Sequence, residues 1–536
     1  MVMSLQDCIN KISATISKTP QEQRDVVADI KRRGFLKQVT NTILFGLTMS
    51  TCAHKSIADT IIEDLPDLGD TDRSNLSPQQ ADMLGKQVVL NIYAQGGMVE
   101  DFDCLDYLNR LGNEFVSYSP MAGKDFNFYL VKDKDINAFA LPGGYICANN
   151  GLIYTTLSEA ELAGVVSHEV GHVIQHHIFR NISVHNRAQW TGIAGLVTAA
   201  ILAPINPAMA MVVAQGGSAA GTQSMLSFSR DYEREADRVG QNLMYKAGFD
   251  AHAMPEFFQR MQDRYKFNTN DAYAFLQSHP VTLERLSEAE TRANQLPTKM
   301  RADSIDFLLT REKCRIRQIE LKDALKFYNS AIATKRYVSL ESQLYGLALT
   351  HYLQKNYEQS IQTLDKISNP KFLINPIVAG LRAKQMIVIG KNDIADRLYE
   401  QSLARYPTHK GLWMGQLEFL IMIRAYPKAA YRLDELSLAF PMDPDVWDQY
   451  AFLYSDEDFG ETTCNNSLYS DAKYNNPIRY HYGLGSEYIV LGHYPHGLEQ
   501  YRAALKKKPA NKEDDKIQSI ISARIPEIMR AMPSKS

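Results

Sequence analysis

Three prolines constrain this chain more than any other feature. Pro407 and Pro441 stand 34 residues apart and Pro509 lies 68 further on, one and two lengths of the same period. In that frame Ala395, Ala429 and Gly497 recur at one position, and Tyr399, Leu433 and Tyr501 follow four residues later. A small residue where two helices cross, with a larger apolar residue one turn on, predicts stacked helical hairpins that bury a core between neighbours. Trp447 takes the aromatic position of the unit after Pro441, although Cys464 and Asn475 make that unit irregular. Ser360 with Leu364, and Ala324 with Tyr328, carry the pattern back toward residue 309, for about five or six hairpins in all. Such a stack presents a concave face suited to peptides or partner proteins.

At 536 residues the chain needs more than this one array. With 45% hydrophobic and 22% charged residues it has an ordinary globular composition. Its 58 Lys plus Arg against 61 Asp plus Glu leave a net charge of -3, which gives a polyanion nothing to hold and argues against nucleic acid. Six cysteines without a CxxC pair exclude a zinc ribbon or a disulfide scaffold, and the pairings Cys104 with Cys147 and Cys314 with Cys464 stay open.

Lys31-Arg32-Arg33-Gly34-Phe35-Leu36-Lys37 precedes an apolar run from Val39 to Met49, then Ser56 and Ala58 ahead of Asp59. A basic stretch, an apolar run too short to span a bilayer and small residues beyond it read as an export signal, with the rest of the chain in the periplasm. The twin-arginine route and ordinary secretion both fit. Lipid anchoring at Cys52 is a weaker reading, because Thr51 is a poor residue in that place. A basic amphipathic helix of a cytosolic protein is the rival.

Ser158-Glu159-Ala160-Glu161, followed by Leu162, Val165, Val166, Val173 and Ile174, predicts a capped helix. Inside it His168-Glu169-Val170-Gly171-His172 sets two imidazoles one turn apart on one face, with Glu169 beside them in the place of a general base. A catalytic zinc needs a third protein ligand, and residues 173–230 contain no acid. Of Asp231, Glu233, Glu235 and Asp237, Glu233 lies nearest the centre of the stripe formed by Ala236, Val239, Gly240, Leu243 and Met244. Asp237, one turn on, is placed to accept from a ligating imidazole. Glu235 and Asp231 are expected to face solvent, and His176, His177 and His185 to be surface or supporting residues. Two histidines on a buried face with a solvated Glu169 is the bland alternative.

The segments Leu65-Pro66-Asp67-Leu68-Gly69, Ile136 to Ile146, the HExxH helix and Glu233-Arg234-Glu235-Ala236-Asp237 resemble the M48 metallopeptidases, within them the periplasmic β-barrel assembly-enhancing group. The resemblance covers about residues 59–300 and implies a gluzincin-type α+β protease with a small sheet in a mainly α chain. It implies Zn2+, one per chain, on His168, His172 and Glu233. His279-Pro280, with Arg285 six residues after the histidine, matches the family's HP motif. That likeness gives His279 a place beside the metal, either stabilising a tetrahedral intermediate or occupying the open zinc position at rest, with Arg285 supporting. The 34-residue period is the tetratricopeptide register.

The alternating Ala138 to Ile146 segment, broken by Pro142-Gly143-Gly144, reads as an edge strand. Asn137, Ala138, Phe139 and Ala140 are then the residues where an extended polypeptide adds as a further strand, although an ordinary capped edge would read the same way. Trp190 to Gly217 is apolar but interrupted by Pro204 and Pro207, which suits two short helices better than a membrane span. The expected organisation is a leader over 1–58, a zinc metalloprotease over 59–308 and a repeat domain over 309–536. The expected activity is endopeptidase cleavage of unfolded or misassembled envelope polypeptides, with outer-membrane assembly proteins as partners through the repeats and room for peripheral membrane association. The rivals are a chaperone or scaffold with a structural or latent zinc, and a membrane-embedded M48 peptidase.

Overall fold

The computed structural model describes residues 78–124, 126–177, 229–266, 272–454 and 476–531. The export signal, Cys52, Leu65 to Gly69, His185 and the Trp190 to Gly217 stretch lie outside the described residues. The chain is mostly helical around one small sheet.

Helices α1 (Pro78–Ala94) and α2 (Phe102–Ser117) lead into strands β1 (Asn127–Val131), β2 (Ala138–Leu141) and β3 (Tyr145–Asn149). The strand order is β1-β3-β2, with β3 parallel to β1 and antiparallel to β2. Strand alternation sends Phe128, Leu130, Ala138, Ala140 and Ile146 into the main core with α2, while Val131, Phe139, Leu141 and Cys147 pack beneath Leu84, Val88 and Ile92 of α1. The stretch read as one edge strand is a hairpin instead. β2 stops at Leu141, Pro142-Gly143-Gly144 forms the turn, and Ile146 belongs to the central strand. Both glycines have φ of 84°, which favours residues without a Cβ and ends the strand there. Of these two strands only β2 lies at an edge of the sheet.

After α3 (Asn150–Thr155), helix α4 (Glu159–Ile174) begins where Ser158 accepts from the Glu161 N–H at 3.2 Å. Of its 16 residues 14 are buried, so its polar side chains face protein on nearly every side. Against it lie β2, α2, α5 (Arg230–Lys246) and α6 (Ala253–Lys266). The crossing of α4 and α5 depends on two glycines. A Cβ on Gly240 would stand 2.8 Å from His168 Cα, and one on Gly171 would stand 2.9 Å from the Ala236 carbonyl. Helices α7 (Tyr273–Ser278) and α8 (Leu283–Asn294) close the fold around the HP residues.

The following helices are α9 (Ile305–Gln318), α10 (Leu321–Ala333), α11 (Leu340–Leu353), α12 (Tyr357–Leu364), α13 (Pro370–Leu373), α14 (Pro376–Val388), α15 (Asn392–Arg405), α16 (Lys410–Met422), α17 (Tyr426–Ala439), α18 (Pro444–Leu453), α19 (Pro477–Val490), α20 (Tyr494–Leu505) and α21 (Lys512–Ala531). α14, α16 and α18 begin at 34-residue intervals, as do α15 and α17. Ala395, Ala429, Tyr399, Leu433 and Tyr501 are all buried in one core. The Trp413 indole donates to the Pro407 carbonyl at 2.7 Å, and Trp447 repeats that bond to Pro441 at 2.8 Å one period later.

The boundary expected between residues 308 and 309 falls inside α9. This helix packs on α2 and α3, and one apolar core runs from the sheet through Phe307, Leu309 and Leu344 to Leu381 before a second begins at Ala383. Cys104, Cys147 and Cys314 are free and buried. Among the described residues no helix is long and apolar enough to cross a membrane.

Candidate metal centre

Four buried side chains converge where α4 crosses α5. His168 and His172 come from α4, Glu233 from the first turn of α5, and His279 from the end of α7. Their donor atoms all lie within 4.8 Å of one another. The two Nε2 atoms of His168 and His172 are 3.0 Å apart, and Glu233 reaches them at 3.4 and 3.3 Å. His279 Nδ1 is 3.1 Å from Glu233 and 3.3 Å from His168 Nε2. Donors about 2.1 Å from a tetrahedral zinc stand about 3.4 Å from one another. The observed spacings match that within a few tenths of an ångström, and three nitrogens with one carboxylate are a donor set that zinc accepts. The residues present fit the ion.

The helix stripe places Glu233 inward as expected, and it is fully buried. Asp237, one turn on, lies 2.9 Å from His168 Nδ1, the atom opposite the converging Nε2. Arg285 grips Asp237 through Nε and a terminal nitrogen at 2.7 and 2.8 Å, and reaches Glu233 at 2.7 Å and the Pro280 carbonyl at 2.9 Å. Three charges and the HP turn are thereby locked together by direct contacts. A bidentate guanidinium does this where an ammonium would not.

Burial opposes ionisation of Glu233 and Asp237, yet His279 and Arg285 hold Glu233 well below the carboxylate range, and Arg285 with His168 holds Asp237 at about 2. Burial also opposes charge on His168, but Asp237 and Glu233 outweigh it and push that imidazole up to about 10. His172 is pushed well down by burial and stays neutral. Glu169, fully buried, is raised by the same desolvation, which His279 and His168 only partly counter. Its Oε1 is 3.3 Å from His279 Nε2, and neither carboxylate oxygen has a well-formed hydrogen bond among the described residues. A buried carboxylate beside four groups that could hold a metal stands where a general base would act.

β2 forms the wall next to this cluster. Asn137 turns its carbonyl toward β3, bonding the Asn149 N–H at 2.9 Å, so alternation sends the Ala138 carbonyl outward. That carbonyl meets His279 Nε2 at 3.2 Å, and the Asn137 side chain accepts from Ser278 at 3.0 Å. Phe139 and Ala140 are buried beside it. At Ala138 the free side of β2 is therefore covered by His279 rather than open.

One expectation changes and one is narrowed. Glu235 is not fully solvated: its Oε2 lies 3.1 Å from His177 Nε2. Of the two places expected for His177, surface or supporting, the structure gives it the second. It is fully buried, its Nδ1 is 3.0 Å from His172 Nδ1, and the Tyr232 ring stacks on it at 4.6 Å. Helical projection could not find this contact, because α4 ends at Ile174 and His176 takes a φ of 54°, which reverses the chain and folds His177 back onto His172. Asp231 is exposed as expected, 4.0 Å from Arg234.

Comparison with known proteins agrees with this geometry. The profile of Peptidase family M48 matches residues 106–293. The chain is 29% identical over 402 residues to the beta-barrel assembly-enhancing protease of Yersinia pestis, covering 72% of this chain and 79% of that one. It is 30% identical over 330 residues to the putative beta-barrel assembly-enhancing protease of Vibrio cholerae, covering 61% and 68%. It is also 27% identical over 184 residues to the mitochondrial metalloendopeptidase OMA1 of Schizosaccharomyces pombe, covering 34% and 51%. With an HExxH helix, a glutamate from α5 and relatives of this extent, the chain belongs to peptidase family M48 and is a metalloprotease.

Proposed function

We propose that the chain is a zinc endopeptidase in which His168, His172 and Glu233 hold the ion and Glu169 moves the protons. The convergence of those donors at zinc-like spacings, with a fully buried carboxylate beside them, carries this reading. Zinc held there supplies a Lewis acid that polarises a peptide carbonyl and acidifies water. Glu169 takes the proton of the attacking water and returns it to the departing amine. Asp237 holds the His168 ring by Nδ1, His177 does the same for His172, and Arg285 keeps Glu233 and Asp237 ionised and oriented.

His279 acts at rest as a fourth donor and as a cover on the Ala138 carbonyl. An extended substrate that adds to β2 must take over that carbonyl, so substrate entry and release of His279 are one event. This favours a polypeptide over a small molecule. The names of the Yersinia and Vibrio relatives suggest the substrate class, misassembled β-barrel polypeptides of the outer membrane, with the helical hairpins, read as tetratricopeptide repeats, binding substrate or assembly proteins from a periplasmic location. The test is a pair of variants assayed on an unfolded β-barrel substrate. Glu169→Gln should abolish cleavage while the chain still carries one zinc, and Glu233→Ala should lose both. Cleavage surviving Glu169→Gln refutes the mechanism, whereas a parent chain that carries zinc, binds the substrate and cleaves nothing returns the chaperone reading, in which the repeats do the work.

A further inference from the structure

Two stripes run along the first turns of α5. Glu233 and Asp237, four residues apart, face the metal cluster and His168. Tyr232 and Glu235, three apart, face His177 instead. The Tyr232 ring lies over the His177 imidazole at 4.6 Å with 10° between the planes, and Glu235 Oε2 stands 3.1 Å from its Nε2. The other ring nitrogen, Nδ1, is 3.0 Å from His172 Nδ1. His172 Nε2 in turn enters the cluster, 3.0 Å from His168 Nε2 and 3.3 Å from Glu233. A carboxylate and two imidazoles thus run in series from the flank of α5 to the metal position.

The placing of hydrogens along that series follows from its two ends. An imidazole holds a metal through a nitrogen lone pair, so His172 as a ligand keeps Nε2 bare and carries its hydrogen on Nδ1. That hydrogen faces His177 Nδ1, which accepts it only when bare. His177 then carries its own hydrogen on Nε2, where Glu235 accepts it. A hydrogen on His177 Nδ1 would instead set two N–H groups face to face across 3.0 Å. The acceptor at the outer end of the series therefore selects the form of His172 that can bind a metal at the inner end. The other ligand imidazole is steadied differently. Asp237 meets His168 directly, is fully buried and is gripped by Arg285, whereas the Glu235 side chain is 29% exposed.

We infer that Glu235 is a positioning residue for the metal site, fixing the tautomer and the aim of His172 through His177. The inference rests on the zinc reading above and deepens it, by giving each ligand histidine its own carboxylate anchor and placing one anchor at the surface.

Zinc titration of the stripped full chain against a competing chelator tests it, with the visible spectrum of the cobalt-loaded chain as a second readout. Glu235→Ala should weaken zinc roughly tenfold and shift the cobalt bands, while urea unfolding of the metal-free chain stays near that of the parent. Glu235→Gln should recover most of the loss, because its amide oxygen still accepts from His177 Nε2. His177→Phe keeps a ring against Tyr232 but breaks the series, so it should weaken zinc at least as much, and Glu235→Ala added to it should cost nothing further. A Glu235→Ala chain with the zinc affinity and cobalt bands of the parent overturns the inference. So does a Glu235→Gln chain without recovery, and so does a full loss from Glu235→Ala in the His177→Phe background, which would show that Glu235 acts by its charge alone. A parent chain that takes up no zinc removes the zinc reading itself, whereas a zinc-binding parent with indifferent Glu235 variants removes this inference and leaves that reading standing.

Discussion

Adding one methyl group to Gly240 should separate the two halves of the metal site. The Cβ would stand 2.8 Å from both Cα and N of His168 and 2.9 Å from the Ser167 carbonyl carbon, where ordinary contact begins near 3.4 Å. Those neighbours are main chain of a buried helix and cannot rotate away, so α4 and α5 must part by about 0.6 Å. Glu233 lies on α5 and both histidines on α4, and metal–ligand distances tolerate about 0.2 Å. The shift is about three times that tolerance. Overpacking of this kind costs roughly 1–3 kcal/mol of stability, and zinc affinity should fall roughly 10–100-fold, as when the residues that orient ligands are removed. The assay is zinc titration of stripped Gly240→Ala against a competing chelator, with urea unfolding in parallel. Gly380→Ala is the control, because its Cβ would meet nothing within 4 Å. A Gly240→Ala chain that is destabilised yet binds zinc within about twofold of the parent would refute the claim that this crossing sets ligand geometry.

Arg285→Met should cost roughly 3–5 kcal/mol in urea unfolding, because Asp237 and Glu233 would both be left buried without their cation; an unchanged midpoint would show that the pair is not what holds the HP turn. Asp133 is raised from the usual aspartate value to about 6 by burial. Its protonated form is therefore favoured in the folded chain, so its stabilisation is complete near pH 4 and lost as pH rises through 6, by about 3 kcal/mol. Asp133→Asn stays neutral throughout, so the variant should match the parent at pH 4 and exceed it above pH 7; a gap independent of pH would contradict this.

What could be read from the sequence follows two periodicities. The 3.6-residue stripe placed Glu233 and Asp237 inward on α5, and the structure brings both to His168. The 34-residue spacing located the hairpins that recur from Pro376 to Ala439. Features that depend on chain reversal escaped both: His177 returns to His172 through a left-handed His176, and Pro142 sits in a turn rather than in a strand. The seam at 308 was also misplaced, because Phe307 and Leu309 read equally well as the last residues of one domain or the first of another. Only the shared core shows that α9 serves both. His279 carried no local pattern, and its position was inferred through family likeness alone.

The bond between Glu159 and Ser304 fixes the helix that carries His168 and His172 to the start of the hairpins. Glu159 opens α4, and its carboxylate accepts from the Ser304 amide and hydroxyl, each at 2.7 Å, while Asp303 accepts from the Glu159 amide at 2.8 Å. The segment leading into α9 is further pinned by Arg301 on Glu114 and the Ala247 carbonyl. If the hairpins hold substrate as proposed above, no slack tether separates them from the metal cluster, and the molecule would work as a ruler: the span from grip to cut would be set by architecture and not by the statistics of a linker. Chains shorter than that span would be held without harm, and longer ones would be trimmed at a measured distance from the point of capture.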